Sequence, residues 1–112
     1  MHPRLKSIMS SDLDFGALPA DPKDCSVLLQ VSIGSGVGDG ADIFSVEVIT
    51  PAAVARLPSP MWLRHHLLLE EFSWLGVEAA IQKLLSHCSG SDWEEISTKL
   101  SRYLHWEFED YG

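Results

Sequence analysis

The clearest pattern in the chain is a period of two. Val27, Leu29, Val31 and Ile33 alternate with Leu28, Gln30 and Ser32, and further on Phe44, Val46 and Val48 alternate with Ser45 and Glu47. Such a period sends successive side chains to opposite faces of an extended backbone, so each run can bury one face and wet the other. Between the runs lies a loop with glycines at 34, 36, 38 and 40, residues that supply positive φ without steric cost. The two runs read as paired antiparallel strands at the centre of a sheet.

From residue 77 the period lengthens. Val77, Ala80, Ile81, Leu84, Leu85 and Cys88 fall on one helical stripe, which predicts a helix over 77–88 with Gly90 placed to end it in the left-handed conformation. Ser91 with Glu94 three residues on has the form of a capping box for a second helix over 92–105. Its stripe is Trp93, Ile96, Leu100, Tyr103 and Leu104, and Asp92, Glu94 and Glu95 sit in its first turn, where the helix dipole favours negative charge. A connection of Ser89 and Gly90 makes these helices antiparallel neighbours or a sharp corner.

The remaining segments are less regular. Residues 4–9 give a first strand anchored by Leu5 and Ile8, and residues 10–24, with Gly16, Pro19 and Pro22, an exposed connection. Thr50 and Pro51 have the form of an N-cap and first helical residue for a short helix over 52–57, stopped by Pro58 and Pro60. Residues 61–71 fit strand or helix; a strand over 67–72 is favoured because the sheet needs more members. The terminal W-E-F-E-D-Y-G reads as a short edge strand or an extended tail. The expected architecture is α+β: one domain over 1–112, with a mainly antiparallel sheet of about four strands packed by the two C-terminal helices.

Charge narrows the partners. Sixteen Asp and Glu against eight Lys and Arg leave a net charge of -8. This surplus argues against nucleic acid, whose affinity rests on neutralising phosphates, and against an anionic membrane surface. It favours basic partners, although it also serves solubility. Cys25 and Cys88 form no disulfide framework and read as reduced core residues of a cytoplasmic protein. The first ten residues contain no apolar stretch of the kind a signal peptide uses, and no run reaches membrane-span length.

Motifs for chemistry are weak. Gly36, Gly38 and Ala41 fit G-x-G-x-x-A, but a strand follows them where a dinucleotide site requires a helix. His65 and His66 are adjacent and diverge on any regular element, and no metal-ligand spacing or nucleophile elbow is present. No cofactor, metal or catalytic residue is therefore expected. Of the carboxylate pairs, Glu107 and Glu109 are two apart and would share a face on an extended segment. Like charges held together there are costly unless a basic partner meets them.

The segments I-G-S-G, D-I-F-S-V-E-V-I-T-P (residues 42–51) and W-E-E-I-S-T-K-L-S-R-Y-L-H-W-E-F-E-D-Y (residues 93–111) together resemble bacterial immunity proteins of polymorphic toxin systems, in particular the family known as immunity protein 8. The resemblance runs from about residue 27 to the end. It implies a small α+β protein without enzyme activity. Such a protein sits in the cytoplasm and binds the C-terminal toxin domain of a cognate secreted or contact-dependent effector; these toxins are often nucleases. It also implies that Trp93, Trp106, Phe108 and Tyr111 are structural. Charge clustering then nominates Glu107, Glu109 and Asp110, the loop residues Asp39 and Asp42, and Glu70 with Glu71 as toxin contacts. Two other readings stand beside this one: a self-associating adaptor that pairs through an open sheet edge, and a hydrolase that uses the C-terminal carboxylates.

Overall fold

The computed structural model describes every residue except 37, 39 and 110–112. Its elements are β1 (Arg4–Met9), β2 (Ser26–Gly34), β3 (Asp42–Ile49), α1 (Pro51–Val54), β4 (His66–Leu68), α2 (Trp74–Leu85), α3 (Trp93–Leu100) and β5 (His105–Trp106). The fold is α+β, and its sheet is mostly antiparallel. The strand order is β1-β2-β3-β4, with β5 also paired to β3.

The period of two fixes the register of the central pair. Val27 lies opposite Val48, Leu29 opposite Val46 and Val31 opposite Phe44, and all six side chains are buried. A slip of one residue would turn this whole set to the other face. The same core cluster contains Val77, Ile81 and Leu85 of α2, Ile96 and Leu100 of α3, and Cys88 and Leu104 beyond them. The intervening loop takes positive φ at Gly36 (81°) and Gly38 (72°), as its glycines lead one to expect.

β3 is the best-bonded strand. β2 occupies one edge, and β4 and β5 divide the other. β4 runs parallel to residues 47–49 of β3, and β5 antiparallel to residues 44–45. This one parallel pairing sits within the mainly antiparallel sheet that was expected, but β4 is shorter than expected, spanning His66–Leu68 rather than 67–72. Its pairing with β3 stops at Leu68, and Leu69 N–H then bonds the Ile49 carbonyl (3.1 Å) while Phe72 N–H bonds the carbonyl of Pro22 (2.7 Å). The chain thus leaves the sheet edge, and Phe72 is buried in the core, edge-on to Trp74. At the far side, β1 is an edge strand with a register irregularity between Leu5 and Ser7. Its exposed Arg4 and Lys6 suit an edge that resists pairing with another chain.

The helix ends also differ from expectation. Thr50 precedes α1 but makes no side-chain cap; its buried hydroxyl accepts instead from Cys25 N–H (3.0 Å), extending the β2–β3 ladder by one pair. α1 has a single turn, and residues 55–57 continue it through hydrogen-bonded turns. α2 begins at Trp74, capped by Ser73, whose hydroxyl accepts from Gly76 N–H (3.0 Å), and ends at Leu85, short of Cys88.

α3 is capped by Asp92 rather than Ser91. Asp92 accepts from Glu95 N–H (2.8 Å), and Glu95 reaches back to accept from the backbone N–H (2.9 Å) and hydroxyl (2.8 Å) of Ser91. The exchange is a variant of the capping box, one residue later than predicted, with the return bond going to Ser91, the residue before the cap. Gly90 does not adopt positive φ; its role is close approach, since a Cβ there would lie 3.0–3.2 Å from the Glu95 side chain. The helix ends at Leu100 rather than at 105 because the chain must leave it to reach β5.

The Ser91 backbone and hydroxyl bonds, with Lys99 beside them, hold the Glu95 carboxyl below its ordinary value. A depressed folded-state pKa contributes stability that is present above the unfolded pKa and lost as pH falls through the folded one. Glu95→Gln is therefore expected to lower stability at neutral pH, with the difference from the parent chain closing under acid. Urea titrations at pH 7 and about pH 3, on either side of the usual glutamate range, check this.

Candidate functional site

Asp42 was nominated as a loop contact, but it belongs to β3 and shares its parity. It lies opposite Ile33, two residues before Phe44, on the core-facing file of the sheet. One carboxylate oxygen accepts from the indole N–H of Trp93 (2.7 Å) and from that of Trp106 (2.9 Å). Phe44 stacks on Trp106 with centroids 6.5 Å apart and meets Trp93 edge-on at 6.5 Å. The first residue of α3 and the last of β5 are thereby tied to β3 through a half-buried anion.

Glu107 and Glu109 do not share a face. The extended segment ends at Trp106 and residues 107–109 form a turn, closed by Glu109 N–H bonding the Trp106 carbonyl (2.9 Å). Glu107 folds back, its carboxylate accepting from Ile43 N–H. Glu109 lies among basic groups, with His105 at 3.4 Å, His65 at 3.6 Å and Arg64 at 3.9 Å. Asp39 and Asp110 lie outside the described residues. Glu70 and Glu71 are exposed in the bend between β4 and α2.

The segment between α1 and α2 carries a feature that the sequence reading passed over. Trp62 is 95% exposed, with Met61 and Leu63 beside it also exposed. Leu68 and Leu75, on either side of Glu70 and Glu71, are 60% and 82% exposed. A tryptophan with almost no contact to its own fold is the side chain most characteristic of interface hot spots. The signal was present as three large apolar residues in a row between prolines and basic residues, outside any periodic element. Nearby, His65 holds a left-handed backbone (φ 57°), a conformation that costs a non-glycine residue about 1 kcal/mol or more. It is kept there as its carbonyl accepts from Glu47 N–H (3.0 Å) and its ring contacts the Ser101 carbonyl (3.2 Å).

Behind this segment a groove of about 680 Å³ opens between residues 63–67 and the C-terminal ends of α2 and α3. Val46, Leu67, Ile81, Leu84 and Leu104 are among its apolar lining residues, and Cys88 is a further one. Burial pushes the Cys88 thiol up against the opposing charges of Lys99 and Arg102. Burial, reinforced by Asp21 and Asp24, does the same to Cys25. Neither cysteine thus has the depressed pKa of a nucleophile. Among the described residues no group of three or more His, Cys, Asp or Glu is arranged to hold a metal ion, and no helix is long and apolar enough to cross a membrane.

A family model described as immunity protein 8 matches residues 4–111. No curated protein and no solved structure matches the chain.

The tether at Asp42 makes a direct prediction. Asp42→Ala leaves two indole donors without their charged acceptor, and hydrogen bonds to charged groups contribute roughly 1.5–3 kcal/mol each. A loss of about 2 kcal/mol or more in urea denaturation is expected, with a smaller loss for Asp42→Asn, which keeps an acceptor.

Proposed function

The chain belongs to the immunity protein 8 family, and from that membership we propose that it neutralises, by binding in the cytoplasm, the C-terminal toxin domain of a cognate secreted or contact-dependent effector. The family match over residues 4–111 carries the immunity role. The interface is our reading of the surface: the exposed stretch from Met61 to Leu75, with Trp62 as the anchor and Glu70 and Glu71 as the charged contacts. Among the described residues those two carboxylates make no hydrogen bond or ion pair, so they are free to meet a basic partner. Glu107, Glu109 and Asp42 are engaged within the fold and contribute mainly to the acidic field.

The mechanism is inhibition without chemistry. The net charge of -8 speeds encounter with a basic toxin surface, and a nuclease is the class of toxin that fits it best. The apolar anchor then sets the dissociation rate. The hydrolase alternative depended on converging C-terminal carboxylates, and the two that are described point to different partners.

Calorimetric titration against the C-terminal domain of the large secreted protein encoded beside this chain tests the role. Nanomolar binding or tighter, about -12 kcal/mol, is expected, and no binding to the folded domain would count against it. The interface has its own test. Trp62→Ala is expected to weaken binding by about 2 kcal/mol or more, roughly thirtyfold. Folding stability should stay within about 0.5 kcal/mol of the parent, as for an exposed substitution. Reversing Glu70 and Glu71 should slow association and flatten its salt dependence.

A further inference from the structure

The groove behind residues 63–67 has the opposite electrical character to the rest of the chain. Four of the eight Lys and Arg, namely Arg64, Lys83, Lys99 and Arg102, are among its lining residues together with His65, His66 and His87. None of the sixteen Asp and Glu is among the described lining residues. Carboxylates at its margin meet several of these groups: Glu95 pairs with Lys99, Glu109 with Arg64, and Glu109 and Glu47 lie beside His65 and His66, while Lys99 and Arg102 also line a neighbouring cavity with Asp92, Glu94 and Glu95. Lys83, His87 and Arg102 have no ion pair or side-chain hydrogen bond among the described residues. Cations near helix C-termini complement the helix dipole, which accounts for Lys83 and Lys99 individually. It does not account for the convergence of two helix ends with Arg64 on a single apolar-floored cavity.

We propose that this groove is a binding site for a small organic anion, one that carries a phosphate or carboxylate on an apolar body. The floor of Val46, Ile81, Leu84 and Leu104 takes the body, and Lys83, Arg102 and Arg64 take the charge. The volume of about 680 Å³ falls inside the usual range for small-molecule sites, about 300–1,000 Å³. A site of this kind in an acidic protein requires local cations, because the long-range field of the chain repels anions. The proposal does not depend on the toxin or on the interface at Trp62.

The probe is phenyl phosphate, followed by backbone amide chemical shifts, with uncharged benzyl alcohol as the comparison. Saturable shifts are expected at Lys83, His87, Arg102 and Tyr103, with benzyl alcohol binding more weakly. The double variant Lys83→Glu with Arg102→Glu should lower affinity by about tenfold or more, a change of about 1.4 kcal/mol or more. Both side chains are exposed, so the fold should persist, and the amide spectrum reports it directly. The double variant Lys6→Glu with Lys23→Glu, two exposed lysines outside the groove, makes the same change in net charge and should bind as the parent does. Three results would overturn the proposal: no saturable shift up to roughly 10 mM, a concentration at which even a millimolar site would be filled; equal binding of benzyl alcohol; or equal effects of the two double variants.

Discussion

β3 is hydrogen-bonded along both edges, and the placing of β2, β4 and β5 follows from that fact. β2 takes one edge over eight pairs, while the other is shared end to end by two very short strands from distant parts of the chain. Neither β4 nor β5 is long enough to persist as a strand alone. Each exists because β3 presents unpaired N–H and C=O groups that are costly to leave unmet. The turns at each end follow from this. His65 accepts its left-handed backbone so that its carbonyl reaches Glu47 N–H, and Glu107 folds back to engage Ile43 through both backbone and side chain.

Asp42 converts that sheet constraint into a tertiary one. Its parity with Phe44 points the carboxylate toward the core face, where it meets the indoles of α3 and β5. A tryptophan N–H that is partly buried needs an acceptor, and here two are served by a single oxygen. The aromatic trio of Phe44, Trp93 and Trp106 packs around this anion. The terminal W-E-F segment is thus structural in its tryptophan, and its first glutamate completes the β3 edge.

The parts of the fold legible in the sequence were those in which local pattern and tertiary outcome coincide. The alternation in β2 and β3 could bury its apolar set in one register only, and the helical stripes of α2 and α3 likewise had one face to hide. Asp42 was legible too, since its distance from Phe44 already put it on the core side, but grouping it with the glycine loop concealed that. The α3 cap was degenerate: Ser91 with Glu94 and Asp92 with Glu95 satisfy the same rule, and the choice rests on Glu95 reaching both Ser91 and Lys99. The parallel β4 was not legible, because three residues carry no period and their place is decided by a vacancy on β3. The groove was not legible either. Its cations come from positions 64, 83, 99 and 102 and form no cluster until two helix ends and a loop are brought together.

The distribution of charge separates two tasks that net charge alone would merge. A carboxylate bonded within the fold still adds its full charge to the long-range field, because a field sums charges regardless of their hydrogen bonds. Asp42, Glu95, Glu107 and Glu109 can therefore steer a basic partner without touching it. Contact requires carboxylates that are not already engaged, and of the nominated residues that are described, Glu70 and Glu71 meet that condition, placed among exposed Leu68 and Leu75. On the interface proposed above, steering belongs to the fold as a whole and grip to the stretch from Met61 to Leu75. On that proposal, substitutions in the internally bonded set act on association rate and stability together, whereas those at Trp62 act mainly on dissociation, so kinetics can distinguish the two even where affinities are equal.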